Sequence, residues 1–107
     1  MKKAGMLILI LLLLTGCSKP EVNYNEVLGS PYAKIENNEL IMKGGPSTVA
    51  STSYVVPHAE IKDNKIYIYG TLSFKKDIEK KVELSQKISK WTIYWVNKDG
   101  TLIEMNN

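Results

Sequence analysis

Chemistry in this chain would have to run through very few side chains, because its 107 residues hold one cysteine, Cys17, and one histidine, His58. A thiolate metal site needs several cysteines and an internal disulfide needs two, so neither is open to it. Any imidazole acid, base or metal ligand would be His58, which follows Pro57 where the pattern reads as a bend between strands. A transition-metal site there would need carboxylates to complete it, so no metal and no cofactor are expected. All 14 basic residues are lysine. Without arginine the planar forks that read phosphate pairs and guanine edges are missing, and nucleic acid is not expected as a partner.

Short motifs fare no better. Ser73-Phe74-Lys75-Lys76 has the Ser-x-x-Lys spacing of a serine nucleophile with a lysine partner, but that chemistry needs one helical turn and further Ser-Asp-Asn and Lys-Thr-Gly elements, which are absent. Gly44-Gly45-Pro46-Ser47-Thr48 lacks the Gly-Lys-Ser ending of a phosphate loop and reads as a turn. Asn97-Lys98-Asp99-Gly100 starts like a calcium loop without its closing glutamate and reads as a hairpin turn. No catalytic set converges, and the chain is expected not to be an enzyme.

Two side-chain groups are left as binding candidates. Tyr67, Tyr69 and Tyr94 fall on the strand faces opposite Ile66, Ile68, Trp91 and Trp95, where they make either an aromatic stripe for a partner or a layer under a second sheet. Lys75, Lys76, Lys80 and Lys81 form a basic run around Asp77 and Glu79, either a solvated loop or a contact for anionic headgroups.

The N-terminus reads as an address. Met1-Lys2-Lys3 is basic, Ala4 to Leu14 is apolar, and Thr15-Gly16-Cys17 is small. This is the three-part layout of an export signal. The apolar part covers roughly 16 Å as a helix, about half of a hydrocarbon core, so it is too short for a stable span. Leu14-Thr15-Gly16-Cys17 resembles the lipobox of bacterial lipoproteins. The resemblance implies a thioether-linked diacylglycerol on Cys17, cleavage between Gly16 and Cys17 by type II signal peptidase, and acylation of the new amino group. The alternative is an ordinary signal peptide that leaves Cys17 as a free thiol. Two or three acyl chains anchor a protein without any transmembrane helix. Ser18 resembles the outer-membrane-sorted class in a Gram-negative host. The expected location is therefore extracytoplasmic and lipid-anchored, at the outer membrane facing the periplasm in such a host.

Removing residues 1–16 with Lys2 and Lys3 leaves an almost neutral chain of roughly 90 residues, enough for one small domain. Residues 17–31 are polar and carry Pro20, Gly29 and Pro31, the pattern of a lipidated tether with an r.m.s. span of roughly 20 Å. The alternative is that Val22, Tyr24, Val27 and Leu28 dock on the domain as a short helix or an edge strand.

Residues 32–107 carry β signals throughout. Tyr32 to Glu36 and Glu39 to Lys43 flank Asn37-Asn38. Ala59 to Lys62 and Lys65 to Phe74 flank Asp63-Asn64. Trp91 to Val96 and Thr101 to Met105 flank Asn97 to Gly100. Asn, Asp and Gly tolerate the left-handed backbone such turns need. Asp77 to Lys90 is ambiguous between a strand over Lys81 to Ile88, which the alternation favours, and a helix with Asp77–Lys81 and Glu83–Lys87 pairs. The fold class is all-β: a small antiparallel sandwich, immunoglobulin-like, or a barrel.

Gly70-Thr71-Leu72 with Ile93-Tyr94-Trp95-Val96-Asn97-Lys98-Asp99-Gly100 resembles the Gly-x-Val and Phe-x-Leu-Tyr-Asp-x-Asp-Gly signatures of an FxLYD-type immunoglobulin-like domain of bacterial envelope proteins. In the second signature the identity is confined to Asp99-Gly100. The resemblance implies a sandwich. The expected function is a non-catalytic envelope lipoprotein whose β domain binds another envelope component, a protein. Its rival within the binding class is an exclusion, immunity or inhibitor lipoprotein that blocks a receptor or a wall hydrolase, and its rival from a different class is a small periplasmic enzyme, which the lack of a converging catalytic set disfavours.

Overall fold

The computed structural model describes residues 20–50, 52–84 and 90–105. After a 3-10 turn at Tyr24–Glu26 come β1 (Tyr32–Glu36), β2 (Glu39–Lys43), β3 (Gly45–Pro46), β4 (Tyr54–Lys62), β5 (Lys65–Ser73), β6 (Glu79–Glu83), β7 (Thr92–Val96) and β8 (Leu102–Met105). They form a three-stranded sheet ordered β1-β2-β6 and a five-stranded sheet ordered β3-β4-β5-β7-β8. The protein is all-β.

Local chemistry places the turns. Asn37 and Asn38 both take positive φ, 53° and 62°, which is what a two-residue hairpin with the right twist demands at both central positions. The β1–β2 register follows, from Tyr32 opposite Lys43 to Glu36 opposite Glu39. Asp63 at φ 57° turns β4 into β5, and Gly100 at φ 88° serves β7 and β8. Each of these hairpins lies where Asn, Asp and Gly predict one.

Between the sheets the core holds Leu40 and Met42 of β2, Val55 of β4, Ile66 and Ile68 of β5, and Ile93 and Trp95 of β7. Alternation then sends Tyr67 and Tyr69 to the other face of β5, where they cluster with Val96, Tyr94 and Leu102. Trp95 is fully buried, and Trp91 packs against the core while partly exposed. Gly70 makes room for the indole: a Cβ there would meet Trp95 Cη2 at 2.9 Å.

Four features depart from the sequence expectations. The polar segment before Pro31 is not a free spacer from residue 20 onward, since Val22 and Val27 belong to the core. Val22 bridges Gly70 and Val27 bridges Ser47, so the docked alternative is the observed one. Its two buried residues, Val22 and Val27, are five apart, which fits neither strand nor helix period.

Gly44 to Thr48 is not a simple turn. At Gly44 the chain leaves one sheet, and β3 joins the other against β4. A Cβ on Gly44 would overlap the Val55 carbonyl oxygen, while its amide donates to the Ile78 carbonyl at 2.7 Å.

The sheets are not purely antiparallel. β5 pairs with β7 in parallel, Lys65 opposite Thr92 through Ile68 opposite Trp95. The chain between them crosses to the other sheet as β6 before returning, and only such a crossover can bring a strand back in the same direction.

Last, the ambiguous segment is a strand, but at Glu79–Glu83, with Leu84 buried beyond it. It pairs with β2, Leu40 opposite Val82. The rest of the expected Lys81 to Ile88 strand lies outside the described residues.

Candidate functional site

The aromatic stripe forms on the outer face of the five-stranded sheet, away from the three-stranded one. Register brings His58 opposite Tyr69 on β4 and β5, and Tyr67 beside Tyr94 on β5 and β7. Both pairs stack: His58 and Tyr69 at 5.2 Å between centroids and 22°, Tyr67 and Tyr94 at 5.7 Å and 14°. Such offset packing of flat rings covers each ring with its neighbour. Tyr67 is 2% exposed and Tyr69 6%, whereas Tyr94, His58 and Leu102 are half-buried. The stripe is therefore on the expected face, but Tyr67 and Tyr69 form its floor, leaving Tyr94 and His58 as the side chains a partner would meet.

Three titratable rings on this face, His58, Tyr67 and Tyr94, are shifted toward their neutral forms. Burial, then Lys80, holds the His58 imidazole below its ordinary pKa, with Glu21 opposing. Burial also raises the Tyr67 phenol, helped by Tyr94 and Asp63, and the Tyr94 phenol, helped by Glu104. His58 Nε2 lies 2.8 Å from Thr71 Oγ1, a hydrogen bond that ties β4 to β5 across the face. Among the described residues no group of three or more His, Cys, Asp or Glu could hold a metal ion.

The other sequence candidates resolve into local structure. Ser73 Oγ accepts from the Lys75 amide at 3.1 Å, closing a turn after β5. Lys80 pairs with Asp77 at 2.9 Å. At Asn97 to Gly100 the Asp99 carboxylate accepts from the Thr101 amide at 3.0 Å, and the Asn97 amide donates to the Thr101 carbonyl at 2.9 Å, which closes the hairpin. Cys17 and the lipobox lie outside the described residues.

One arrangement escaped sequence reasoning. The N-terminal segment is clipped to the β7–β8 turn, and between them opens a shallow cleft of about 180 Å³ lined by Asn23, Tyr24, Asn25, Asn97, Asp99 and Ile103. Tyr24 meets Trp95 edge-on at 6.4 Å, and the Trp95 indole donates to the Val22 carbonyl at 3.3 Å. Glu26 is held below the usual carboxylate range, first by the Asn23 amide it accepts from and then by Lys98 at 3.4 Å. The only sequence signal was Asn23 and Asn97, whose side chains accept from the Lys98 and Tyr24 amides to make the clip.

Fold and face together define a small all-β sandwich domain with an aromatic outer stripe. No family model matches the chain, and neither a curated protein nor a solved structure matches it. Among the described residues no helix is long and apolar enough to cross a membrane.

Proposed function

We propose that this chain is a membrane-anchored envelope lipoprotein, held outside the cytoplasm by lipid on Cys17, whose domain binds another envelope protein and catalyses nothing. The lipobox Leu14-Thr15-Gly16-Cys17 carries the reading, because it combines an apolar segment too short to span with a cysteine at the cut. Partner binding is assigned to the outer face of the five-stranded sheet. There Tyr94 and His58 stand on a floor of Tyr67 and Tyr69, so a partner meets prearranged rings rather than side chains it must order. Rigid aromatic anchors of this kind carry a large share of binding energy at protein interfaces.

The test is crosslinking from intact membranes with a photoreactive residue at Tyr94, beside a second placed at Ile41 on the three-stranded sheet. A defined protein adduct from position 94 and none from position 41 is the expected result. Adducts at neither position, or the same set at both, would remove the outer face as a binding surface.

A further inference from the structure

The chain enters the domain at a defined place. Val22 bridges Gly70 in the antiparallel sense, the Glu21 amide donates to the Gly70 carbonyl at 2.9 Å, and the Glu21 carboxylate accepts from the Leu72 amide at 2.8 Å. Because that pairing is antiparallel, tracing the chain back from Val22 leads along β5 toward its Ser73 end. Cys17 precedes Pro20 by three positions, and that length of chain spans at most about 11 Å. A lipid on Cys17 would therefore attach within that reach of Pro20, which lies toward the end of the five-stranded sheet where β5 finishes.

Exposed apolar side chains collect at the same end. Ser73, Tyr54 and Pro46 line up across β5, β4 and β3, so Phe74 and the loop after Pro46 project from one edge of the sheet. Phe74 is 82% exposed and Val49 in that loop 59%. Leu28, whose amide donates to the Pro46 carbonyl, is 62% exposed. Lys75 and Lys76 follow Phe74 directly, and no described carboxylate pairs with either, since Asp77 takes Lys80. An aromatic ring beside lysine ammoniums suits the headgroup layer of an anionic bilayer, the ring at the interface and the ammoniums at the phosphates.

We infer that this end of the domain, with Phe74, Lys75 and Lys76 at its centre and Val49 and Leu28 beside them, lies on an anionic bilayer surface. The inference rests on the lipoprotein reading and goes further. The anchor does not hold a tumbling domain at a distance; it holds one docked in a single orientation. With β5 nine residues long, the Asp63-Asn64 turn then stands roughly 27 Å further from the membrane, and the aromatic stripe runs up the side of the domain.

The full lipidated chain reports this directly, because a thioether on Cys17 leaves an introduced cysteine as the single reactive thiol. Phe74→Cys and Asn64→Cys proteins, each labelled with a small fluorophore, are placed in vesicles of phosphatidylcholine and phosphatidylglycerol containing brominated lipid. Quenching several-fold stronger at position 74 than at 64 is expected. It should be lost when Lys75→Glu and Lys76→Glu are added or phosphatidylglycerol is left out, since each lysine is worth about fivefold in surface attraction. Equal, weak quenching at both positions in protein that floats with the vesicles would overturn the docked orientation while leaving the anchor standing. Protein that does not float, with an intact mass that shows no lipid on Cys17, would overturn the lipoprotein reading itself.

Discussion

Asn23 and Asn97 each hold the backbone of the residue after the other: Asn97 Oδ1 accepts from the Tyr24 amide at 2.8 Å, and Asn23 Oδ1 accepts from the Lys98 amide at 2.9 Å. This reciprocal clip fastens the start of the domain to its last hairpin across 73 residues of sequence. Asn97→Ala strands the Tyr24 amide without its acceptor and should cost about 1 to 3 kcal/mol in urea unfolding. Because both bonds fasten the same pair of segments, the double variant with Asn23→Ala should cost less than the two single costs together. Additive costs would mean that the two bonds act independently.

A fragment beginning at Pro31 should be much less stable than one beginning at Ser18. It lacks Val22 and Val27, which are 0% and 4% exposed, and it leaves the Trp95 indole without its acceptor. Burying each valine contributes about 1.5 to 3 kcal/mol, against a total of roughly 5 to 15 for a domain. Urea midpoints of the two fragments decide this, and equal midpoints would refute a structural role for the segment.

Much of the domain was legible because local chemistry and pattern agreed. Asn37-Asn38 must turn, and the alternation from Ile66 to Tyr69 must put isoleucines on one face and tyrosines on the other. The docking of Val22 and Val27 was legible only as the alternative to a free tether, since each enters through a single bridge and leaves no periodic trace. The parallel pairing of β5 with β7 was not legible, since it depends on where β6 goes rather than on either strand's own residues. The stacking of Tyr67 on Tyr94 and of Tyr69 on His58 was not legible either, because it depends on the register between neighbouring strands, which no single strand's pattern encodes.

The two faces of β5 and β7 should separate cleanly on mutation. Trp95→Ala empties the centre of the core and should cost about 3 to 5 kcal/mol, enough to leave much of the protein unfolded. Tyr94→Ala, at a half-buried position on the outer face, should remain folded by circular dichroism and lose crosslinking to the partner from a photoreactive residue placed at Leu102 on the same face. A folded Trp95→Ala protein would put the core elsewhere.

Stability should fall on mild acidification through His58. Burial holds the folded imidazole below its ordinary value of 6.5, so the unfolded chain takes up a proton there before the folded one does. Stability is then full above the unfolded pKa, falls as pH drops below it, and levels off once the folded form also protonates. His58→Gln should flatten the urea midpoint in that window. A midpoint that rises on acidification in the wild type would contradict the sign.

Lipid on Cys17 is the central claim, and the intact mass of the protein purified from membranes tests it most directly. The account predicts a chain that starts at Cys17 and carries a diacylglycerol thioether, and a Cys17→Ser variant that stays uncleaved with Met1 in place or leaves the detergent phase. A wild-type chain with an unmodified Cys17, or a Cys17→Ser protein still cut after Gly16 and still in the membrane fraction, would contradict it.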